Sequence, residues 1–144
     1  MMTIPATYAH IAPMVARLDP ERRAQLLAMT GGVGILYDNI RLSSMTWCGV
    51  DGDGPVTLGG VVPATGGDGY LWQIITPAIA LHKRAYLLQG RAVISRALLA
   101  YVRLVTVIEA DYTAALRHVR RLGWQVGSAI DMGGTMACRC WRMR

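Results

Sequence analysis

Two carboxylates and a phenol, Glu109, Asp111 and Tyr112, sit between a run of β-branched residues and an arginine-rich helical segment. A carboxylate can accept a proton and a phenol can donate one, so this phrase has residue types suited to acid–base chemistry. A strand-to-helix junction also calls for a capping side chain, which Asp111 or Thr113 would supply, and Tyr112 suits a half-buried place at the helix entrance. The histidines, His10, His82 and His118, are far apart, and each falls in a helical setting where packing or surface placement accounts for it. Cys48, Cys138 and Cys140 form no C-x-x-C pair. A zinc site needs about four ligands at turn-compatible spacing, so the sequence predicts three reduced, buried thiols and no metal. Gly31-Gly32-Val33-Gly34 lacks the preceding strand of a dinucleotide site and reads as a turn. There is no Gly-x-Ser-x-Gly elbow, Walker loop or His-Glu-x-x-His pair.

The 144 residues carry a formal charge of +6, with 53% hydrophobic and 17% charged residues, which excludes global disorder. Lys83 is the only lysine; the remaining basic residues are arginines. Lys83, Arg84, Arg91, Arg96, Arg103, Arg117, Arg120 and Arg121 fall in one stretch whose acids are Glu109 and Asp111. Such a stretch suits an acidic partner, a phosphate or nucleic acid, or simply solvated helix faces. Gly69 to Leu81, the longest nearly charge-free run, is too short for the ~20 apolar residues of a spanning helix. The N-terminus has no basic segment followed by an apolar one, so the chain is expected to stay in the cytoplasm where it is made.

These residues need elements to position them. Thr3 to Ala6 reads as a strand, with Thr7 capping a helix to about Leu18. Asp19-Pro20-Glu21 starts a second helix, through a capping carboxylate and a proline at the first helical position. Ile35 to Leu42 fits a third. Strands Thr46–Val50 and Val56–Val62 flank Asp51-Gly52-Asp53-Gly54, a hairpin turn. Tyr70–Thr76 reads as a buried central strand. Behind it, Leu81, Ala85, Leu88, Ala92, Leu99 and Val102 form an apolar stripe on one long helix, expected to lie on the sheet with Gly90 as its weak point. Leu104–Ile108 is a strand, a helix runs through Leu122 to Gly123, and Trp124–Ile130 pairs with Thr135–Met143. The expected architecture is α/β: one domain over residues 1–144, with a mixed central sheet of about seven strands flanked by helices.

Several phrases in this order resemble the GCN5-related N-acetyltransferase (GNAT) superfamily. They are Ile4-Pro5-Ala6-Thr7 before a helix, Val50-Asp51-Gly52 leading into Val56-Thr57-Leu58-Gly59-Gly60-Val61, and Ala114-Ala115-Leu116 through Arg121-Leu122-Gly123-Trp124. A narrower resemblance is to small GNAT-like proteins of short-tailed bacteriophages, some of them internal virion proteins. It is carried by Ser44-Met45-Thr46-Trp47, Gly60-Val61-Val62-Pro63, Leu71-Trp72-Gln73-Ile74-Ile75-Thr76-Pro77 and Ile108-Glu109-Ala110-Asp111-Tyr112-Thr113. In that group an Asn usually stands where this chain has Tyr112.

The resemblance implies a place for coenzyme A behind the central strand, where Ile74, Thr76 and Ala78 are the candidate contacts. Active members have a glycine-containing loop there, whose amides approach the diphosphate; this chain reads Pro77-Ala78-Ile79-Ala80-Leu81. Gln89-Gly90-Arg91-Ala92-Val93-Ile94 is similar to the loop phrase but has Ala92 and Ile94 where glycines belong, inside a helical pattern. An amine acceptor is almost wholly protonated at neutral pH, so a base is needed; Glu109 and Asp111 are the candidates. The tyrosine that many members use as an acid falls on Val119, leaving Tyr112 as the substitute. The resemblance therefore implies a virion-associated or morphogenesis protein without acetyl transfer and without a cofactor. Its partners would be other virion proteins, engaged through Arg84, Arg91, Arg117, Arg120 and Arg121. It would be found in the host cytoplasm during assembly and in the virion. The alternative is an acetyl-coenzyme A-dependent N-acetyltransferase with an atypical diphosphate site.

Overall fold

A computed structural model describes residues 1–144. Its seven strands form one mixed sheet flanked by helices, as the sequence predicted; the strands lie in the order β1-β2-β3-β4-β5-β7-β6, and there are five α-helices. The strands are β1 (Met2–Ile4), β2 (Met45–Asp51), β3 (Gly54–Pro63), β4 (Asp68–Ile75), β5 (Arg103–Glu109), β6 (Gln125–Asp131) and β7 (Met136–Met143). The helices are α1 (Ile11–Arg17), α2 (Pro20–Ala28), α3 (Gly34–Leu42), α4 (Lys83–Ala97) and α5 (Thr113–Arg121). Packing divides the chain into two units, one of Met1–Val62 with Trp72–Tyr86, the other of Pro63–Leu71 with Leu87–Arg144.

In the first unit, Asp19 caps α2 through Oδ1, which accepts the Arg22 N–H at 3.0 Å, and Pro20 opens the helix as expected. Ile11, Met14, Leu18, Leu26 and Leu36 from the three helices meet Cys48, Leu58 and Trp72 in one buried cluster. The hairpin of β2 and β3 turns at Gly52-Asp53, with Asp51 paired to Gly54. The residue requiring positive φ is Gly54, at +125°, rather than Gly52 after the first aspartate. Thr7 precedes a short 3-10 turn, Tyr8–His10, before α1 begins, and its N–H donates to His10 Nδ1 at 2.9 Å.

In the second unit, β5 is the element that runs parallel to β4, with Asp68, Gly69 and Tyr70 opposite Arg103, Leu104 and Val105. β5 pairs antiparallel with β7 along its full length, and β7 with β6. Gly123 ends α5 at φ +83°. Its N–H donates to Arg120 O and that of Trp124 to Val119 O, both at 3.0 Å, the paired bonds of a glycine-terminated helix. The expected cap at the other end of α5 is absent. Tyr112 occupies the cap position, and no side chain there caps the first turn.

The segment read as one helix from Leu81 to Val102 is shorter and broken. Pro77–Leu81 forms a separate 3-10 turn, His82 leaves the helical region at φ −131°, and α4 covers Lys83–Ala97. The apolar stripe also points the other way: Leu81 and Leu99 are each 83% exposed, Leu88 52% and Val102 56%, whereas Gln89, Ile94 and Ala97 are buried. Periodicity could not choose between the faces, because α4 carries apolar residues on both and buries a glutamine. Gly90 has a packing reason. A β-carbon there would lie 2.9 Å from Leu122 Cδ1, so the glycine lets the end of α5 come close.

Candidate functional site

Thr76, Ile79 and His82 in the β4–α4 connection bond within it and to β3. Thr76, 2% exposed, donates both its N–H (2.9 Å) and its hydroxyl (3.1 Å) to Val56 O. Its carbonyl accepts the Ile79 N–H at 3.1 Å, and the Ile79 carbonyl accepts the His82 N–H at 2.9 Å. Ile74 packs against the apolar cluster, and Ala78 lies half-buried in the 3-10 turn. Of the three candidate cofactor contacts, two therefore have structural partners. Pro77 has no N–H, and no glycine intervenes before α4. Gln89-Gly90-Arg91 lies in the interior of α4, not in a loop.

Beside this connection lies a cluster that the sequence did not single out. Asp51 Oδ1 accepts from Arg17 Nη1 at 3.1 Å and from the Asp53 N–H at 2.9 Å, while Oδ2 meets His82 Nε2 at 3.0 Å. The same Arg17 nitrogen donates to Pro55 O at 2.9 Å. The Asp53 amide first, then Arg17 and His82, hold the Asp51 carboxyl well below the usual carboxylate range. A carboxylate accepts only, which assigns the bridging proton to His82 Nε2. The end of α1, the β2–β3 turn and the start of α4 are thus tied to one anion. The three side chains are separated by 34 and 31 positions, and Asp51 already had a reading as a turn residue, so no local signal marks them.

The acid–base candidates are less organised. Glu109 and Asp111 are exposed, with neither carboxylate hydrogen-bonded, and their carbonyls accept the Tyr112 and Thr113 N–H groups. Tyr112 is half-buried at the α5 entrance, and Val119 is half-buried on α5. Arg84, Arg91, Arg117, Arg120 and Arg121 are all exposed. His118 lies half-buried beside α4; burial and then Arg121 push its pKa down. All three cysteines are buried and unpaired, and burial raises Cys48 to about 11. No helix is long and apolar enough to cross a membrane.

No protein-family model matches the sequence, nor does any curated protein. Solved structures do match in fold. An aminoglycoside acetyltransferase, AAC(6')-Ib, in complex with coenzyme A and kanamycin aligns with a TM-score of 0.73 at 13% identity, over 99% of this chain and 94% of its own. An acetyltransferase of the GNAT family from Streptococcus pneumoniae aligns at 0.67 and 12% identity, over 99% and 98% of the two chains. A spermidine N-acetyltransferase chimera from Vibrio cholerae and hSSAT aligns at 0.71 and 12% identity, over 99% and 94%. The chain has the fold of the GNAT acetyltransferases.

Proposed function

We propose that the protein is a phage-encoded GNAT-scaffold protein of the virion or its morphogenesis, working by binding in place of acetyl transfer. The observation that carries the non-catalytic part is the 3-10 turn at Pro77–Leu81, where a diphosphate cradle would have to form. That turn opens on a residue without an N–H, and the amides of Ile79 and His82 are already bonded within the connection. The residues present do not fit the diphosphate of coenzyme A. The lack of an organised carboxylate among Glu109 and Asp111, and Val119 in place of an acid, support the same reading. The virion role rests on the phage-type phrases around Trp47, Trp72 and Tyr112. Other virion proteins are its partners and the host cytoplasm is where it assembles.

A second reading, an acetyl-coenzyme A-dependent N-acetyltransferase, is favoured by one feature. α4 begins with exposed Lys83 and Arg84 at a helix N-terminus, which is attractive to phosphate. Isothermal titration with acetyl-coenzyme A separates the two. The binding reading expects no saturable heat and no change in Tm. Saturable heat, with ~2.7 kcal/mol of added stability at 100 times Kd, would establish the second. Composition analysis of phage particles tests the virion assignment separately: absence of the chain from both particles and assembly intermediates removes it.

A further inference from the structure

α4 presents to solvent a face that its own packing does not use. Leu88 is 52% exposed, Leu99 in the turn continuing the helix is 83% exposed, and Ala92 and Ser95 between them are also exposed. The positions 88, 92, 95 and 99 alternate steps of four and three, the spacing with which a helix offers an apolar seam to a second helix. Arg91 flanks this seam, and Arg84 stands seven residues earlier on the same side of the helix. Both are exposed and neither forms an ion pair. From Gly69 to Ile108 the chain contains no Asp or Glu, so nothing local neutralises them. α5, which meets α4 at Gly90, adds exposed Arg117, Arg120 and Arg121.

We infer that this face docks an amphipathic helix of a partner protein, whose apolar stripe covers Leu88, Ala92 and Leu99 and whose acidic side chains meet Arg91. Charge complementarity selects an acidic partner, and the exposed leucines beside Arg91 select one with an apolar stripe. Nucleic acid matches the charge but leaves the leucines uncovered, and the face offers no aromatic ring on which bases would stack. The inference rests on the binding reading above and gives its partner a chemistry.

The test uses the full chain and a labelled 21-residue peptide with Leu and Ala at the seam positions and Glu beside them, followed by fluorescence anisotropy. Saturable binding is expected, weakened about ten-fold by Leu88→Glu and by Arg91→Glu, and two- to three-fold by Arg117→Glu. Polyglutamate of the same length and single-stranded DNA should each bind at least about ten-fold more weakly than the peptide. Absence of saturable peptide binding overturns the inference. So does unchanged affinity in Leu88→Glu and Arg91→Glu variants that keep the parental Tm, or equal affinity for polyglutamate or DNA. Acetyl-coenzyme A titrated into the same preparations distinguishes the two failures. Heat from the cofactor removes the non-catalytic reading, whereas loss of peptide binding alone removes only the docking face.

Discussion

Arginine does different work in the two packing units. In the first, Arg17 bridges Asp51 and Pro55 O, and Arg23 donates to the carbonyls of Val15, Ala16 and Leu18 at 2.7–3.1 Å, closing the end of α1. Its basic residues, Arg17, Arg22, Arg23, Arg41, Lys83 and Arg84, nearly balance Asp19, Glu21, Asp38, Asp51 and Asp53. In the second unit, Asp68, Glu109, Asp111 and Asp131 face nine arginines. Some of those are structural: Arg103 pairs with Asp68, Arg142 donates to Leu122 O and Arg144 to Leu98 O. Arg91, Arg96, Arg117, Arg120 and Arg121 hold no ion pair and stand in water. Positive charge left unused by the fold is therefore concentrated on α4 and α5. Net charge alone does not show this, since it counts bonded and free arginines alike.

The sharpest contrast in stability should come from glycine. In the first unit, a β-carbon on Gly59 would lie 2.6 Å from Cζ2 of Trp47, a rigid ring that is 2% exposed and cannot retreat. Gly59→Ala is expected to cost about 3 kcal/mol in urea denaturation. In the second, Gly90→Ala meets a methyl of Leu122 that can rotate aside, and gains up to ~1 kcal/mol of helix propensity, so it should stay within about 1 kcal/mol of the parent. Equal losses at the two sites would show that α4 and α5 are packed as rigidly as β2 and β3.

Acid should act next, and through the first unit. Asp51 has a depressed carboxyl in the folded chain, against about 3.9 when unfolded. Its contribution is complete above the unfolded value and is lost as the pH falls from there toward the folded one. Asp51→Asn should lower stability at neutral pH and flatten its decline below about pH 4. An Asn variant whose urea midpoint fell with acid as steeply as the parent's would show that the anion does not tie α1, the hairpin and α4 together.

How much of this was legible depends on the distance over which the signal acts. The order of elements along the chain and the caps at Asp19 and Gly123 follow from neighbouring residues, and the sequence carried them. The Asp51 cluster joins three distant positions, each with an adequate local explanation, so only the fold brings it out. α4 is the instructive failure. Its apolar stripe is real, but burial depends on what lies opposite: Gly90 admits Leu122, and the helix turns Gln89, Ile94 and Ala97 inward. The same stripe then becomes surface, and the arginines beside it change from solvated fringe to flank. The cap assigned to Asp111 or Thr113 failed for a related reason, because Tyr112 takes the cap position itself.

The smallest effects test the comparison most directly. Arg23→Ala removes three charge-assisted bonds to the end of α1 and should cost about 1–2 kcal/mol, since carbonyls lose a donor that partly excluded water supplies poorly. Arg91→Ala and Arg117→Ala remove the same side chain from exposed helix positions without a partner, and each should change stability by no more than about 0.5 kcal/mol. The sign is informative too. On a face crowded with like charge, removing one arginine relieves repulsion, so Arg117→Ala, one turn before Arg120 and Arg121, should be neutral to slightly stabilising at low salt, with the gain fading as the Debye length shortens. A loss above 1 kcal/mol at either site, measured by urea denaturation at two salt concentrations, would mean that the chain itself uses these arginines. The surface would then belong to the fold and not to a partner.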